Sequence, residues 1–440
     1  MYKKIEQYAD YINRLFPQPY DGDVHHKKLA RTITFQVTDD CNLRCTYCYE
    51  INKGHHFMNF DIAKRFIDDI LNTDIDTNEY INIDNSPAII MEFIGGEPFL
   101  AIDLIDKITD YFITQMIIKK HPWATRFMIT ICSNGVLYFD ERVQTYIKKH
   151  LHHLSFSVSV DGNKRLHDTC RVFPNGMGSY DMAIKAVKHF TEVLGGKMGS
   201  KMTLAPANIG YTFEAVENLI KLGYEQIFLN TVYEKGWTKE NATTLYEQLK
   251  MVADYLLENG LQNKIYLSIF EEDFARPKGT DDIDNWCGGT GNMIAVDYKG
   301  DIFPCLRYME SSLGDDQEPM IIGNVFDGMM KTEKQCDCVN CLGCIDRRTQ
   351  STDECFNCPI AQGCGWCSAH NYQEFGTANK RTTYACDMHK ARALANVYFW
   401  NKTYAKNGIA KRFKNYVPDE WALEIINKDE LEMLKSLEKR

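Results

Sequence analysis

Apolar and polar positions along the first half of the chain follow two alternating rhythms. Short runs rich in β-branched and aromatic residues read as strands: "TITFQV" (32–37), "AIIMEFIGG" (88–96), "FMITICSNG" (127–135), "LSFSVSVDG" (154–162), "KMTLAP" (201–206) and "QIFLNTV" (226–232). Between them, "FDIAKRFIDDIL", "IDKITDYFITQMIIKK" and "YDMAIKAVKHFTEVL" carry apolar residues at helical spacing. Six strand–helix units predict an α/β fold over 31–240, a parallel sheet curved into a partial (β/α)6 TIM-like barrel. Ahead of it, "YKKIEQYADYINRLF" makes residues 1–30 one amphipathic helix at most. A further helix and strand bridge 241–286.

The texture then changes. Residues 287–390 are rich in Gly and Asn, have few long periodic segments, and hold eleven of the chain's sixteen cysteines. This predicts a small cysteine-rich domain held by metal rather than by a core. Residues 391–440 return to helical, mixed-charge periodicity. No internal repeat or low-complexity segment interrupts this order.

Composition narrows the function. The 440 residues are 44% apolar and 25% charged, an ordinary globular balance. A net charge of -10 argues against nucleic-acid binding, which needs a basic face to replace counterions. The N-terminus lacks an apolar signal core and no run is long enough to span a bilayer, so a cytoplasmic protein is expected. In that compartment clustered cysteines point to metal or redox chemistry, not disulfides.

The unusual residues of the first half gather at the C-terminal ends of the expected strands, where parallel α/β folds collect reactive groups. Cys41, Cys45 and Cys48 follow the first, Gly95-Gly96-Glu97-Pro98 ends the second, and Ser133-Asn134-Gly135 ends the third. Ser157, Ser159 and Asp161 line the fourth. A closed zinc site wants four ligands and a disulfide two. Three thiolates suit a cubane iron–sulfur cluster whose fourth iron stays open. Cys132, inside an apolar strand, is expected to be a small buried hydrophobe, and His167 and Asp168 are expected to be structural.

The spacing Cx3Cx2C, with Tyr47 before the last cysteine and GGEP at the next strand, resembles the radical S-adenosylmethionine (SAM) superfamily. The resemblance implies that Cys41, Cys45 and Cys48 hold a [4Fe–4S] cluster whose open iron chelates SAM. It implies that Gly95, Gly96 and Glu97 receive the methionine ammonium, and that Ser133, Asn134, Ser159 and Asp161 lie on the ribose side. The run "DGNKRLHDTCR" resembles the D-G-x4-H-D-x2-R of one subfamily and makes Arg171 a partner for the SAM carboxylate, a role its planar fork suits.

The second half resembles the SPASM domain, which adds two auxiliary [4Fe–4S] clusters and so brings the expected number to three. Cys287 and Cys305 flank "GGTGNMIAVDYKGDIFP", which reads as a β-hairpin turning at Lys299-Gly300-Asp301, and "CFNCPIAQGCGWC" follows. By resemblance Cys355, Cys358, Cys364 and Cys386 hold the outer cluster, and Cys287, Cys305 and Cys367 the inner one. Two departures stand out: only two residues separate Cys364 from Cys367, and the inner set is one thiolate short. "CDCVNCLGC" supplies Cys336, Cys338, Cys341 and Cys344, for a further metal site or for the missing ligand. If none closes the inner set, its open iron is free for a substrate cysteine.

Among SPASM proteins the chain resembles maturases that form thioethers on ribosomally made, cysteine-containing precursor peptides. This implies an external reductant such as flavodoxin or ferredoxin. It also implies leader recognition, either by the barrel and C-terminal helices or by a separate protein. Two other readings stay open: a sulfatase-type maturase oxidising Cys or Ser to formylglycine, and a non-enzymatic iron–sulfur electron carrier or scaffold.

Overall fold

The computed structural model describes residues 30–72, 80–81, 84, 86–196, 198–284, 287–314 and 317–439. The expected N-terminal helix lies outside them. The six strands appear where apolar periodicity places them: β1 (Ala30–Thr38), β2 (Ala88–Gly95), β3 (Phe127–Ser133), β4 (Leu154–Val158), β5 (Gly199–Leu204) and β6 (Gln226–Thr231). The intervening helices include α1 (Phe60–Ile70), α2 (Ile102–Ile118), α3 (Glu141–His150), α4 (Tyr180–Lys188) and α5 (Thr212–Lys221). The fold is mixed α/β.

Of the described residues, 30–158, 171–196 and 287–345 form one compact unit. With β8 (Met293–Val296), β9 (Asp301–Phe303), β10 (Gly323–Asn324) and β11 (Gly328–Met329), its core is an eight-stranded sheet in the order β11-β10-β9-β8-β1-β2-β3-β4. The pairs β1–β2, β2–β3 and β3–β4 are parallel. β1 is central and loses its polar alternation, as a strand covered on both faces does: Ile33, Phe35 and Val37 are fully buried, and so is Thr34. Helix α1 begins at Asn59, whose side chain accepts from the Asp61 N–H, and buries Ile62, Phe66 and Ile70 on one face. Phe66 meets Phe35 edge-on at 5.4 Å, and Phe35 stacks on Phe93 at 5.6 Å.

The expected hairpin is present. β8 (Met293–Val296) and β9 (Asp301–Phe303) pair antiparallel, and Gly300 turns with φ +87°. The hairpin also extends the sheet, because β8 lies parallel to β1 with Thr32 opposite Met293. β10 (Gly323–Asn324) and β11 (Gly328–Met329) complete the edge. The "CDCVNCLGC" stretch is helical: α7 (Glu333–Gly343) starts from a capping box between Thr332 and Gln335.

The other unit comprises 159–170, 198–284 and 346–439. It contains the parallel sheet β5-β6-β7, with β7 at Tyr266–Leu267. Helix α6 (Lys239–Glu258) is capped by Thr238 and Asn241. It packs along α8 (Cys386–Lys406), which joins its unit through the Phe270–Phe399 stack and the Tyr398–Asp254 hydrogen bond. The tail ends in α9 (Lys428–Lys439). Among the described residues, no helix is long and apolar enough to cross a membrane.

Candidate active site

β1 and β2 run in register up to Gln36–Ile94, then slip so that Thr38 faces Gly95. The slip ends the ladder and turns the chain into 39–48 as a loop. Two glycines make the close approach possible. A Cβ on Gly95 would collide with the Thr38 carbonyl; one on Gly96 would collide with the Asp40 carbonyl and lie 2.7 Å from the Cys41 Cβ. Without side chains there, the Gly96 N–H donates to Thr38 O (3.2 Å) and the Glu97 N–H to Asp40 O (2.9 Å). The GG of GGEP therefore lets the second strand end brace the base of the cysteine loop.

The loop is fastened elsewhere as well. The Cys41 N–H donates to Asp40 Oδ1 (2.7 Å), Arg44 donates to the carbonyls of Cys41 and Leu43, and the Arg44 N–H donates to Val172 O (2.7 Å). Asn134 Nδ2 donates to Asn42 Oδ1 (2.6 Å) and lies 4.0 Å from Cys41 Sγ. Asp39 grips His56 through its backbone N–H (2.7 Å) and Nδ1 (2.8 Å), and the His56 ring stacks on Tyr298 at 4.5 Å. The three thiols thus sit on a loop whose backbone is determined from several sides.

Glu97 is 1% exposed, and its carboxylate accepts from Ser133 Oγ (2.8 Å) and from the Asn134 and Phe99 N–H groups (2.8 and 3.1 Å). Burial pushes its carboxyl up to about 7, against those three donors. Ser133 Oγ also accepts from the Gly135 N–H, and Asn134 Oδ1 from the Val136 N–H. So Glu97, Ser133 and Asn134 lock the ends of β2 and β3 together beside the loop. Arg171 places its guanidinium 5.3 Å from the centre of the Tyr47 ring. Ser159 and Asp161 follow β4 into the other unit, where the Asp161 N–H donates to Nδ1 of fully buried His167 (3.3 Å).

Cys41, Cys45 and Cys48 offer three thiols on one loop, the donor set that a cubane cluster with one open iron would take. Among the described residues no trio of cysteine sulfurs lies within 4.8 Å; the group that does is Asp106, Asp110 and His150. Burial, with Glu97 and Cys45 nearby, pushes the Cys41 thiol up to about 12, although the Leu43 N–H and Lys53 pull the other way. A thiolate there needs a strongly cationic partner, which iron supplies. Asn42 Nδ2 is buried beside the loop with no partner, an open donor for a bound ligand.

Reasoning from motifs missed Asp39, Arg44, Glu50, Lys53 and His56. Lys53 Nζ lies 3.1 Å from Cys48 Sγ and 3.6 Å from the Glu50 carboxylate. Burial works against its charge, but Cys48, with Glu50 and Cys41 nearby, outweighs this and holds the ammonium above the ordinary lysine range. The available signal was local: a cation five positions beyond the last cysteine. Cys132 overturns its expectation. It is exposed, because on β3 it alternates with the inward-facing Ile131 and Ser133.

In the second unit, Cys355, Cys358, Cys364 and Cys386 act on one another electrostatically. Burial raises Cys358, Cys364 and Cys386, the last to about 12, and neighbouring thiols of the set add to the effect. The side chain of Thr352 accepts from the Cys355 N–H, the Arg381 guanidinium holds the Cys364 carbonyl (2.9 Å), and Cys386 opens α8. These four suit one buried thiolate site. Cys367 immediately precedes the helix Ser368–Phe375. In the first unit, Cys305 is buried and Cys287 precedes the turn Gly288–Thr290, which packs on α7. On α7, Cys336 Sγ donates to Met330 O (3.2 Å), Cys338 is half-buried and Cys341 is exposed; Cys344 caps the helix and is exposed.

No protein-family model matches the chain. It is 22% identical to the radical SAM cyclopropyl synthase TigE of Paramaledivibacter caminithermalis, over 88% of this chain and 77% of TigE. It is 20% identical to the serine-type anaerobic sulfatase-maturating enzyme of Bacteroides thetaiotaomicron, over 79% of this chain and 84% of that enzyme. Among solved structures, anSMEcpe with bound AdoMet and the Kp18Cys peptide superposes with a TM-score of 0.60 at 18% identity, covering 86% of this chain and 99% of that one. Streptococcus suis SuiB bound to its precursor peptide SuiA gives 0.52 at 16%, covering 83% and 78%. The structural likenesses, all under 25% identical, carry the fold alone. Over most of its length, then, the chain is similar in sequence to a radical SAM cyclopropyl synthase and to a sulfatase-maturating enzyme.

Proposed function

We propose that the chain modifies a ribosomally made, cysteine-containing precursor peptide, forming thioether crosslinks. The observation that carries the radical part is the thiol loop 41–48, set against the glycine turn of β2 and locked by Asn134. Cys41, Cys45 and Cys48 would hold the [4Fe–4S] cluster, and SAM cleaved there would supply a 5′-deoxyadenosyl radical that takes a hydrogen atom from the peptide. A methionine ammonium only donates, so at this turn it would be received by carbonyl oxygens, while the Gly96 and Glu97 N–H groups serve the loop. Asn42 Nδ2 and the Arg171 fork are donors suited to the carboxylate.

The cysteine-rich segments support the crosslinking half. Joining sulfur to carbon removes two hydrogens, and one leaves as a proton and an electron. Auxiliary clusters, one of them on Cys355, Cys358, Cys364 and Cys386, would supply an acceptor for that electron. Structures of similar fold hold a cysteine peptide in anSMEcpe and the precursor SuiA in SuiB, which favours a peptide substrate. An external reductant and a leader-binding partner complete the proposal. The likeness to a sulfatase-maturating enzyme favours a second reading, formylglycine formation on one Cys or Ser.

An anaerobic assay separates the two. Enzyme, SAM, reductant and a cysteine-repeat peptide should yield 5′-deoxyadenosine and a product lacking two hydrogens per ring. That product should keep all its sulfur and have its cysteines protected from alkylation. Loss of sulfur, or loss of two hydrogens with every cysteine still alkylatable, selects formylglycine; no SAM cleavage rejects both.

A further inference from the structure

The cysteine loop carries a fixed positive charge that neither motif contains. Lys53 Nζ is 3.1 Å from Cys48 Sγ, and its side chain is only 14% exposed. It is not a loose surface lysine settling on the nearest sulfur, because the residue before it is held. The Asn52 N–H donates to Ser311 O (3.2 Å), and Asn52 Nδ2 donates to the carbonyls of Glu310 and Leu313 (3.0 and 3.1 Å). Glu50, 3% exposed, sits 3.6 Å from the ammonium and accepts from Gln36 Nε2 (3.5 Å), which also donates to Ser311 Oγ (2.9 Å). The 50–53 segment is thus stapled to 310–313, and the staple aims one ammonium at one thiol.

We propose that Lys53 is a positioning charge that sets the reduction potential of the cluster held by Cys41, Cys45 and Cys48, with Glu50 as its counterweight. The inference rests on reading those thiols as cluster ligands. A one-electron reduction adds negative charge to the thiolate-bound cluster. A cation hydrogen-bonded to one of its sulfurs and shielded from water stabilises the reduced form more than the oxidised. The electron enters from the external reductant and leaves to the sulfonium of SAM; Lys53 takes no part in either transfer and changes only how readily the electron is held. The Glu50 carboxylate partly cancels the ammonium, so removing it should act in the opposite sense.

The test is an EPR-monitored redox titration of the full-length, cluster-loaded enzyme, with and without SAM. It follows the SAM-responsive signal that Cys45→Ala removes. At a fixed potential, Lys53→Met should lower the ratio of reduced to oxidised cluster about tenfold, which for a one-electron couple is about 59 mV. Lys53→Arg, keeping the charge, should stay within about twofold of wild type, and Glu50→Gln should raise the ratio. The ratio is read per cluster, so partial loading does not affect it. If Lys53→Met assembles no cluster, the sign of the Glu50→Gln shift carries the test. An unchanged ratio in Lys53→Met, an equal fall in Lys53→Arg, or an unchanged or lowered ratio in Glu50→Gln overturns the inference. A SAM-responsive signal that persists in Cys45→Ala overturns instead the assignment of the cluster to this loop.

Discussion

Two stretches of the first unit are equally dense in cysteine. "CNLRCTYC" has three in eight residues and "CDCVNCLGC" four in nine, yet they fold in opposite ways. The first is irregular, and distant residues hold it: Gly95 and Gly96 from β2, Asn134 from the end of β3, and Val172 through Arg44. The second is mostly the regular helix α7 plus its capping residue, sustained by its own ladder and its Thr332 cap. Cys338, Cys341 and Cys344 recur every third residue along it, climbing about 9 Å at the helical rise. That span is too long for one cubane to take all three without unwinding the last turns. Thiol density alone therefore does not decide how a segment folds. What distinguishes the first stretch is an irregular backbone held by contacts from outside the segment.

The sharpest way to break this comparison is to remove one thiol from each stretch. Cys45→Ala should reduce 5′-deoxyadenosine production to background, because the open iron exists only while three thiolates hold the cubane. Cys341→Ala should leave both iron content and SAM cleavage near wild type. Fewer irons in Cys341→Ala would mean that α7 unwinds to bind metal after all, and SAM cleavage by Cys45→Ala would disqualify the loop.

The four-thiol set of the second unit extends the comparison to a buried site. Cys386→Ala should cost about four irons per chain, and should lower the melting temperature as well, since metal binding and folding are coupled where thiols are buried together. Iron content at the wild-type value would free Cys386 from that role.

Two glycines give a matched and smaller contrast. Gly96→Ala places a methyl against the Asp40 carbonyl and Cys41 Cβ and should cost about 1–3 kcal/mol, read by denaturant unfolding, together with faster loss of the loop's cluster. Gly343→Ala, at the end of α7 with nothing within 4 Å of the added carbon, should be neutral or stabilising by up to about 1 kcal/mol. Equal costs at the two positions would mean that the loop is no more tightly held than the helix.

The smallest effect concerns acid. His389 lies on α8 with Nε2 2.6 Å from Ile360 O, and burial, with Arg392 and Arg381 nearby, pushes it down to about 3. An unfolded histidine titrates near about 6.5. The folded value is the lower, so its contribution is present above about 6.5 and is lost as pH falls toward 3. Between pH 7 and 5.5 this amounts to about 1 kcal/mol. His389→Gln, which keeps a donor for the Ile360 carbonyl, should remove that increment from the pH dependence of urea unfolding. An identical pH dependence in both proteins would place the acid sensitivity elsewhere.

Sequence alone determined the elements and marked the cysteine loop. Strand and helix positions follow from periodicities of two and 3.6 residues, which are properties of neighbouring side chains, so β1 to β6 lie where their apolar runs lie. Cysteine spacing and the GG turn are likewise local, and they were enough to mark the loop. Tertiary structure decided everything that depends on partners far along the chain. It paired β8 with β1, 261 positions apart at Thr32 and Met293. It turned Cys132 outward, made a helix of the second cysteine stretch, and brought Asn134 to Asn42 across 92 positions and Ser311 to Gln36 across 275. It also held Lys53 against Cys48, a contact only five residues long but aimed by the distant 310–313 segment. Hydrogen bonds of this kind have no periodicity to announce them, because donor and acceptor become neighbours only after the sheet has formed.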